Sequence, residues 1–301
     1  NAQSNKEAAM HQFVNKLMAK MTLDEKLGQL NLPASSDFVT GQVSSSDIAS
    51  KVVAGKVGGV FNIRSVTKIK ELQQVAVTKT RLKIPLLFGQ DVIHGFKTTF
   101  PIPLAEAASW DLPAIQMSAR VAATEASASG IHWTFAPMVD IARDPRWGRV
   151  MEGAGEDPYL GSLISAARVK GFQGTNLGDT NTLMACVKHF AAYGAAVGGR
   201  DYNSVDMSER QLWEIYLPPF KAAVDAGAAS FMNSFNDING IPAVANNYLQ
   251  RTILKGNWGF KGFVVSDWGS IGELINHGYA KDAKEAALLS MNAGTDMDME
   301  S

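Results

Sequence analysis

Short apolar runs alternate with amphipathic helical stretches along nearly the whole chain, and few folds accept that order. Candidate strands fall at 27–32, 57–63, 84–90, 133–139, 183–190, 229–235, 263–267 and 295–299. Helical patterns lie between them at 47–54, 66–81, 112–129, 159–172, 209–226, 247–255 and 281–293. Eight strands with seven intervening helices predict a parallel (β/α)8 barrel of the TIM type, with an open doubly wound sheet as the alternative. The run Phe263-Val264-Val265-Ser266 is apolar on both faces, as a strand covered on both sides must be. It ends on Asp267, and Trp268 follows. An acid in that position serves packing poorly, whereas the carboxyl ends of barrel strands are where chemistry is built.

A chain of 301 residues suits one such barrel, read as a single domain over 1–301. Apolar residues make up 46% of it, enough for a large core. The 28 basic and 29 acidic residues are interspersed, which argues against a nucleic-acid partner. No apolar stretch approaches the length of a bilayer span, so membrane insertion is not expected. Cys186 is the only cysteine and lies in an apolar run, which predicts a buried thiol. A first amphipathic helix is expected near 6–20, followed by Thr22 as an N-cap with Asp24 and Glu25 in the next first turn. The N-terminus carries no hydrophobic signal core, which leaves a cytosolic protein or a removed targeting segment. The last strand runs to the C-terminus with no helix after it, so a fragment is expected. Apolar surface left open there predicts a marginal fold or association through that edge.

Polar residues gather where the predicted strands end. Gln90-Asp91 and His94 follow the third strand, Asp140 and the segment 143–149 follow the fourth, Lys188-His189 closes the fifth, and Asp267-Trp268 the seventh. Carboxylates, cations and aromatics together suit a neutral, hydroxyl-rich ligand. Each element also has a plainer reading. Asp91 can cap a turn; Arg146 and Arg149 can form structural ion pairs with Asp144, Glu152, Glu156 or Asp157; Asp140 and Asp144 can fix loops; Trp268 can plug the rim. Lys188, set in an apolar run, needs a partner.

No cofactor and no metal are expected. The five histidines lack metal-ligand spacing, Gly153-Ala154-Gly155 misses the third glycine of a dinucleotide fingerprint, and no G-x-S-x-G turn surrounds Ser234 or Ser266.

Five motifs then converge in order: Gln90-Asp91-Val92-Ile93-His94-Gly95, Phe100-Pro101-Ile102-Pro103-Leu104, Arg143-Asp144-Pro145-Arg146-Trp147-Gly148-Arg149, Lys188-His189-Phe190-Ala191-Ala192-Tyr193-Gly194, and Gly262 to Trp268. With them the chain resembles the barrel domain of glycoside hydrolase family 3, especially its bacterial periplasmic β-glucosidase branch. The resemblance implies that Asp267 is a catalytic nucleophile. It implies that Asp91, Arg149, Lys188 and His189 bind the terminal sugar, that Met232 lines the subsite, and that Trp268 flanks the entrance. It further implies retaining hydrolysis of terminal β-D-glucosyl residues through a glycosyl-enzyme ester, in the periplasm or outside the cell.

Two positions depart from the family pattern. Val197 stands where the branch often has an acid, which removes a partner for Arg200 or Lys188. Phe235 stands where many members place a tyrosine that donates to the nucleophile, a loss of roughly 1 kcal/mol for an ordinary bond. Retention also needs a second carboxyl about 5–5.5 Å from the first. The resemblance places it in a C-terminal α/β domain that residues 1–301 do not contain. The histidine used by the β-N-acetylglucosaminidase branch is missing from the loop 191–208, and Glu152 and Glu273 are the local substitutes. The competing readings are β-xylosidase or exo-β-glucanase specificity, a sugar-binding module without chemistry, and a Schiff-base aldolase acting through Lys188.

Overall fold

The computed structural model describes residues 2–35 and 47–300. Its strands are β1 (Asn31–Leu32), β2 (Gly59–Phe61), β3 (Leu87–Gln90), β4 (Trp133–Thr134), β5 (Met184–Phe190), β6 (Ser230–Asn233), β7 (Asp237–Ile238), β8 (Ile241–Pro242), β9 (Phe263–Val265) and β10 (Asp298–Met299). A six-stranded parallel sheet runs β2-β3-β4-β5-β6-β9, and β1 pairs with β10, also in parallel. Single bridges join the two groups, Ala34 to Phe61 on one side and Val265 to Met297 on the other. The eight parallel strands therefore form a closed ring, the expected TIM-type barrel. Both edges of β10 are bonded: Asp298 N–H donates to Leu30 O, and Met297 N–H to Val264 O. No strand edge is thus left unpaired there, and Leu288 and Met291 on the helix Ala283–Ala293 are exposed. No helix follows β10 among the described residues.

Inside the ring, Leu32, Phe61, Trp133, Phe135, Cys186, Met232, Val265 and Met299 form one buried cluster. The Trp133 indole N–H donates to Ser230 Oγ at 2.8 Å, so its polar edge is satisfied across the barrel. The Cys186 thiol is fully enclosed, and burial pushes it up to about 12. Outside, the helices Leu112–Ala128, Pro158–Gln173 and Pro218–Asp225 pack side by side. The first two approach so closely that a Cβ on Gly171 would lie 2.4 Å from Gln116 O. Caps set their starts: Asp111 accepts from Ala114 N–H and Asp157 from Tyr159 N–H, each with proline in the first turn.

Several boundaries differ from the sequence reading. The strand expected at 27–32 begins only at Asn31, because a reciprocal capping box between Thr22 and Glu25 extends a helix over Leu23–Gly28. The strand expected at 133–139 stops at Thr134; Pro137 has no N–H for the ladder, and pairing continues as an isolated Met138–Lys188 bridge. The helix expected at 209–226 is divided: Glu209–Gln211, a π segment Leu212–Tyr216, then Pro218–Asp225. Pro218 cannot donate to the i−4 carbonyl, and the Leu217 N–H bonds Leu212 O instead. Helices at Pro103–Ala108 and Ser270–Asn276, and the β7–β8 hairpin, went unread. The Gly/Ala-rich segment 191–208, which looks loose in sequence, is packed at Tyr193 and Val205, both fully buried.

Candidate active site

The carboxyl ends of β3, β5 and β9 and the segment after β4 bring the polar residues together. Asp267 lies two residues beyond β9 and is 8% exposed. Its Oδ1 accepts the Trp268 backbone N–H at 2.7 Å, while the buried Oδ2 has no hydrogen-bond donor. Burial pushes this carboxyl up to about 6, with Lys188 and Arg149 pulling it back.

Lys188, at 4% exposure, donates through Nζ to Asp91 Oδ1 at 2.7 Å. Burial, the largest influence, works against the ammonium, but Asp91 and Glu152 together outweigh it and hold the group above its ordinary range. The partner demanded by a lysine in an apolar run is thus Asp91, while Val197 lies exposed. A Schiff-base lysine reacts as a free amine, so the ammonium paired with Asp91 argues against the aldolase reading.

Arg149 pairs with Glu152 through Nε at 2.7 Å and Nη2 at 2.9 Å, and its guanidinium carbon sits 5.6 Å from the Tyr193 ring centroid. Glu152 is therefore committed. Arg146 forms its pair with Asp144, away from the buried group. The ion-pair reading holds for both arginines, but only Arg149 lies beside Asp267.

His189 is 1% exposed and spans two carboxylates. Its Nδ1 is 2.7 Å from Asp140 Oδ2 and its Nε2 is 3.6 Å from Asp267 Oδ2. Asp140 also accepts the His189 backbone N–H at 3.0 Å. A Cβ on Gly194 would meet Ile141 O at 2.2 Å, so that glycine lets the strand-end loop of β5 close on the Asp140 segment. Asp140, read from sequence only as a loop acid, is a central contact. The available sign was an acid flanked by Val139, Ile141 and Ala142, all buried.

Met232 pairs in register with Val265 and is 2% exposed, in the barrel interior beneath the site. Trp268 is half-buried, edge-on to Phe61 at 5.2 Å, and joins a rim cluster with Phe235, Tyr193 and Trp147. Phe235 packs tilted against Tyr202, with ring centroids 4.7 Å apart, and has no polar group to offer Asp267. His94 serves its own loop, with Nδ1 2.9 Å from Phe100 O. Among the described residues no group of three His, Cys, Asp or Glu is placed to hold a metal.

Fold and site together define a parallel barrel that carries a buried carboxylate among cations at the strand ends. The chain matches the model of the glycosyl hydrolase family 3 N terminal domain over residues 22–301, and it belongs to that family. It is 46% identical over 287 residues to a periplasmic beta-glucosidase of Salmonella typhimurium, covering 95% of this chain and 37% of that protein. It is 40% identical over 246 residues to a beta-xylosidase of Formosa agariphila, covering 77% of this chain and 34% of that one. The crystal structure of a beta-glucosidase from Listeria innocua in complex with isofagomine superposes with a TM-score of 0.91 at 45% identity, over 96% of this chain and 41% of that one. The chain thus spans about two-fifths of the length of such relatives. No helix among the described residues is long and apolar enough to cross a membrane.

Proposed function

We propose that this chain is the nucleophile-bearing barrel of a retaining, exo-acting β-glucosidase that releases terminal non-reducing β-D-glucosyl residues. The observation that carries the reading is Asp267 itself: a buried carboxylate at a strand end, one oxygen fixed by a backbone N–H and the other without a donor. Lys188, Asp91, Arg149 and His189 surround it and suit the hydroxyls of one sugar ring. In this reading Asp267 attacks the anomeric carbon, the bond to the leaving oxygen breaks, and a carboxylic acid protonates that oxygen. Water then attacks the same carbon, loses a proton to that group and frees Asp267.

The acid belongs, in this proposal, to a further α/β domain outside residues 1–301. Supporting it, Asp91, Asp140 and Glu152 are already engaged with Lys188, His189 and Arg149. Glu273 is the local alternative, half-buried in Ser270–Asn276 and shifted upward by burial. A periplasmic or secreted location accords with the Salmonella relative.

The test uses 2,4-dinitrophenyl 2-deoxy-2-fluoro-β-D-glucopyranoside, whose leaving group needs no acid. Intact-mass analysis is expected to show one fluoroglucosyl group on Asp267, absent in Asp267→Ala. Glucose binding by calorimetry without any labelling would instead leave a sugar-binding module. Because relatives include β-xylosidases, the fluoroxyloside is run in parallel, and the glucoside is expected to label faster.

A further inference from the structure

Two buried carboxylate oxygens in the site have no donor: Asp140 Oδ1 and Asp267 Oδ2. The His189 ring lies between those two side chains, and its tautomer decides what Asp267 faces. If Nδ1 carries the only proton and Asp140 is ionised, the Nε2 lone pair opposes Asp267 Oδ2, two acceptors face to face in a water-poor interior. If the acid carries a proton, its hydroxyl donates to Nδ1, still accepts the His189 N–H, and leaves Nε2–H directed at Asp267. Phe235, which supplies no hydroxyl, leaves that duty open.

We propose that Asp140 is a positioning residue held as a neutral acid, and that through Nδ1 it fixes His189 as the Nε2–H tautomer aimed at Asp267 Oδ2. The inference deepens the reading of Asp267 as nucleophile and rests on it. At 3.6 Å the Nε2 contact exceeds hydrogen-bond length, and a closing movement of about 0.5 Å makes it one.

The surroundings agree. Burial pushes Asp140 up to about 8, against the His189 N–H, Arg149 and Lys188, with Glu152 adding to the rise. Burial, then Arg149 and Lys188, hold His189 well below its ordinary value, so the ring is neutral. Asp267 faces Lys188, Arg149 and Asp91. A raised acid beside a depressed imidazole favours the proton on Asp140 over an imidazolium held between two carboxylates. That proton is lost as pH rises through about 8, and the ring then turns its lone pair to the nucleophile.

Two measurements on the 301-residue chain test this. Nitrogen-15 spectra of the imidazoles, with His189 assigned by its loss in His189→Gln, report the tautomer without any chemistry. Nε2 is expected protonated and Nδ1 bare at pH 7, with the pattern reversing above about pH 8. A protonated Nδ1 at pH 7 overturns the proposal. Labelling by the dinitrophenyl fluoroglucoside is expected to slow about tenfold from pH 7 to pH 9 in the wild type, one proton lost per group. In Asp140→Asn, which has no proton to lose, the two rates are expected to agree within about twofold. A limb that persists in that variant also overturns the proposal. Failure of labelling at every pH, with the Nε2–H tautomer in place, would count against the nucleophile alone.

Discussion

Asp267 is kept in a site that favours its protonated form, and the direction has a consequence for stability. Its folded pKa, about 6, lies above the ordinary carboxylate value, so the native state takes up a proton that the unfolded chain releases. Stability tied to this group is fully present in acid and is lost as pH rises through about 6. Asp267→Asn keeps the shape and removes the charge. It is expected to raise the melting temperature by a few degrees at pH 7.5 while making no difference below about pH 4, a trade of stability against reactivity. Melting both proteins across that range checks the sign, and a destabilised variant at pH 7.5 would contradict it. Asp267, Lys188, His189 and Asp91 stand out in sequence as polar residues that end apolar runs, whereas Arg149 is singled out only through the motif 143–149 and the family resemblance. Asp140 stood at a strand end too, but its contact was not legible, because its partners are a backbone N–H and a ring nitrogen brought in from β5, and no spacing records that meeting.

Among the elements, the loop after β3 shows how remote packing holds a residue of the candidate site. Glu106 and Arg168 form a buried ion pair, and Arg168 also donates to Ile93 O, two residues beyond Asp91. Removing one partner leaves an uncompensated charge in the interior. Glu106→Ala is therefore expected to cost about 3–5 kcal/mol in denaturant unfolding. Weaker glucose binding should follow in the folded fraction, because Asp91 and its Lys188 contact lose their support. A midpoint unchanged from wild type would remove the pair from this role. The alternation of elements was readable because strand and helix periods differ so strongly. The π segments at Leu212–Tyr216 and Tyr248–Asn257 were not, since one extra residue per hydrogen-bonded turn leaves the apolar spacing almost unaltered. Likewise the helix Ser270–Asn276 is too short to show a period.

For the whole molecule, closure of the ring separates what is structural from what is appended. The helix Ala2–Met18 carries Met10, Phe13, Val14 and Met18 in solvent, at 55%, 67%, 43% and 45% exposure, so the barrel gains little from it. Deleting residues 1–18 is expected to leave the melting temperature within about 2 °C, measured by circular dichroism. A loss of more than about 8 °C would show that the helix holds the barrel. The seam between β1 and β10 behaves oppositely. It pairs Asn31 with Asp298, residues almost a chain length apart, so its loop-closure cost falls late and on few bonds. A ribosome must therefore release nearly all of this segment before the first strand meets its last neighbour. Until then the cluster of Phe61, Trp133 and Met232 faces an open cleft, and the nascent barrel depends on whatever shields that cleft during synthesis.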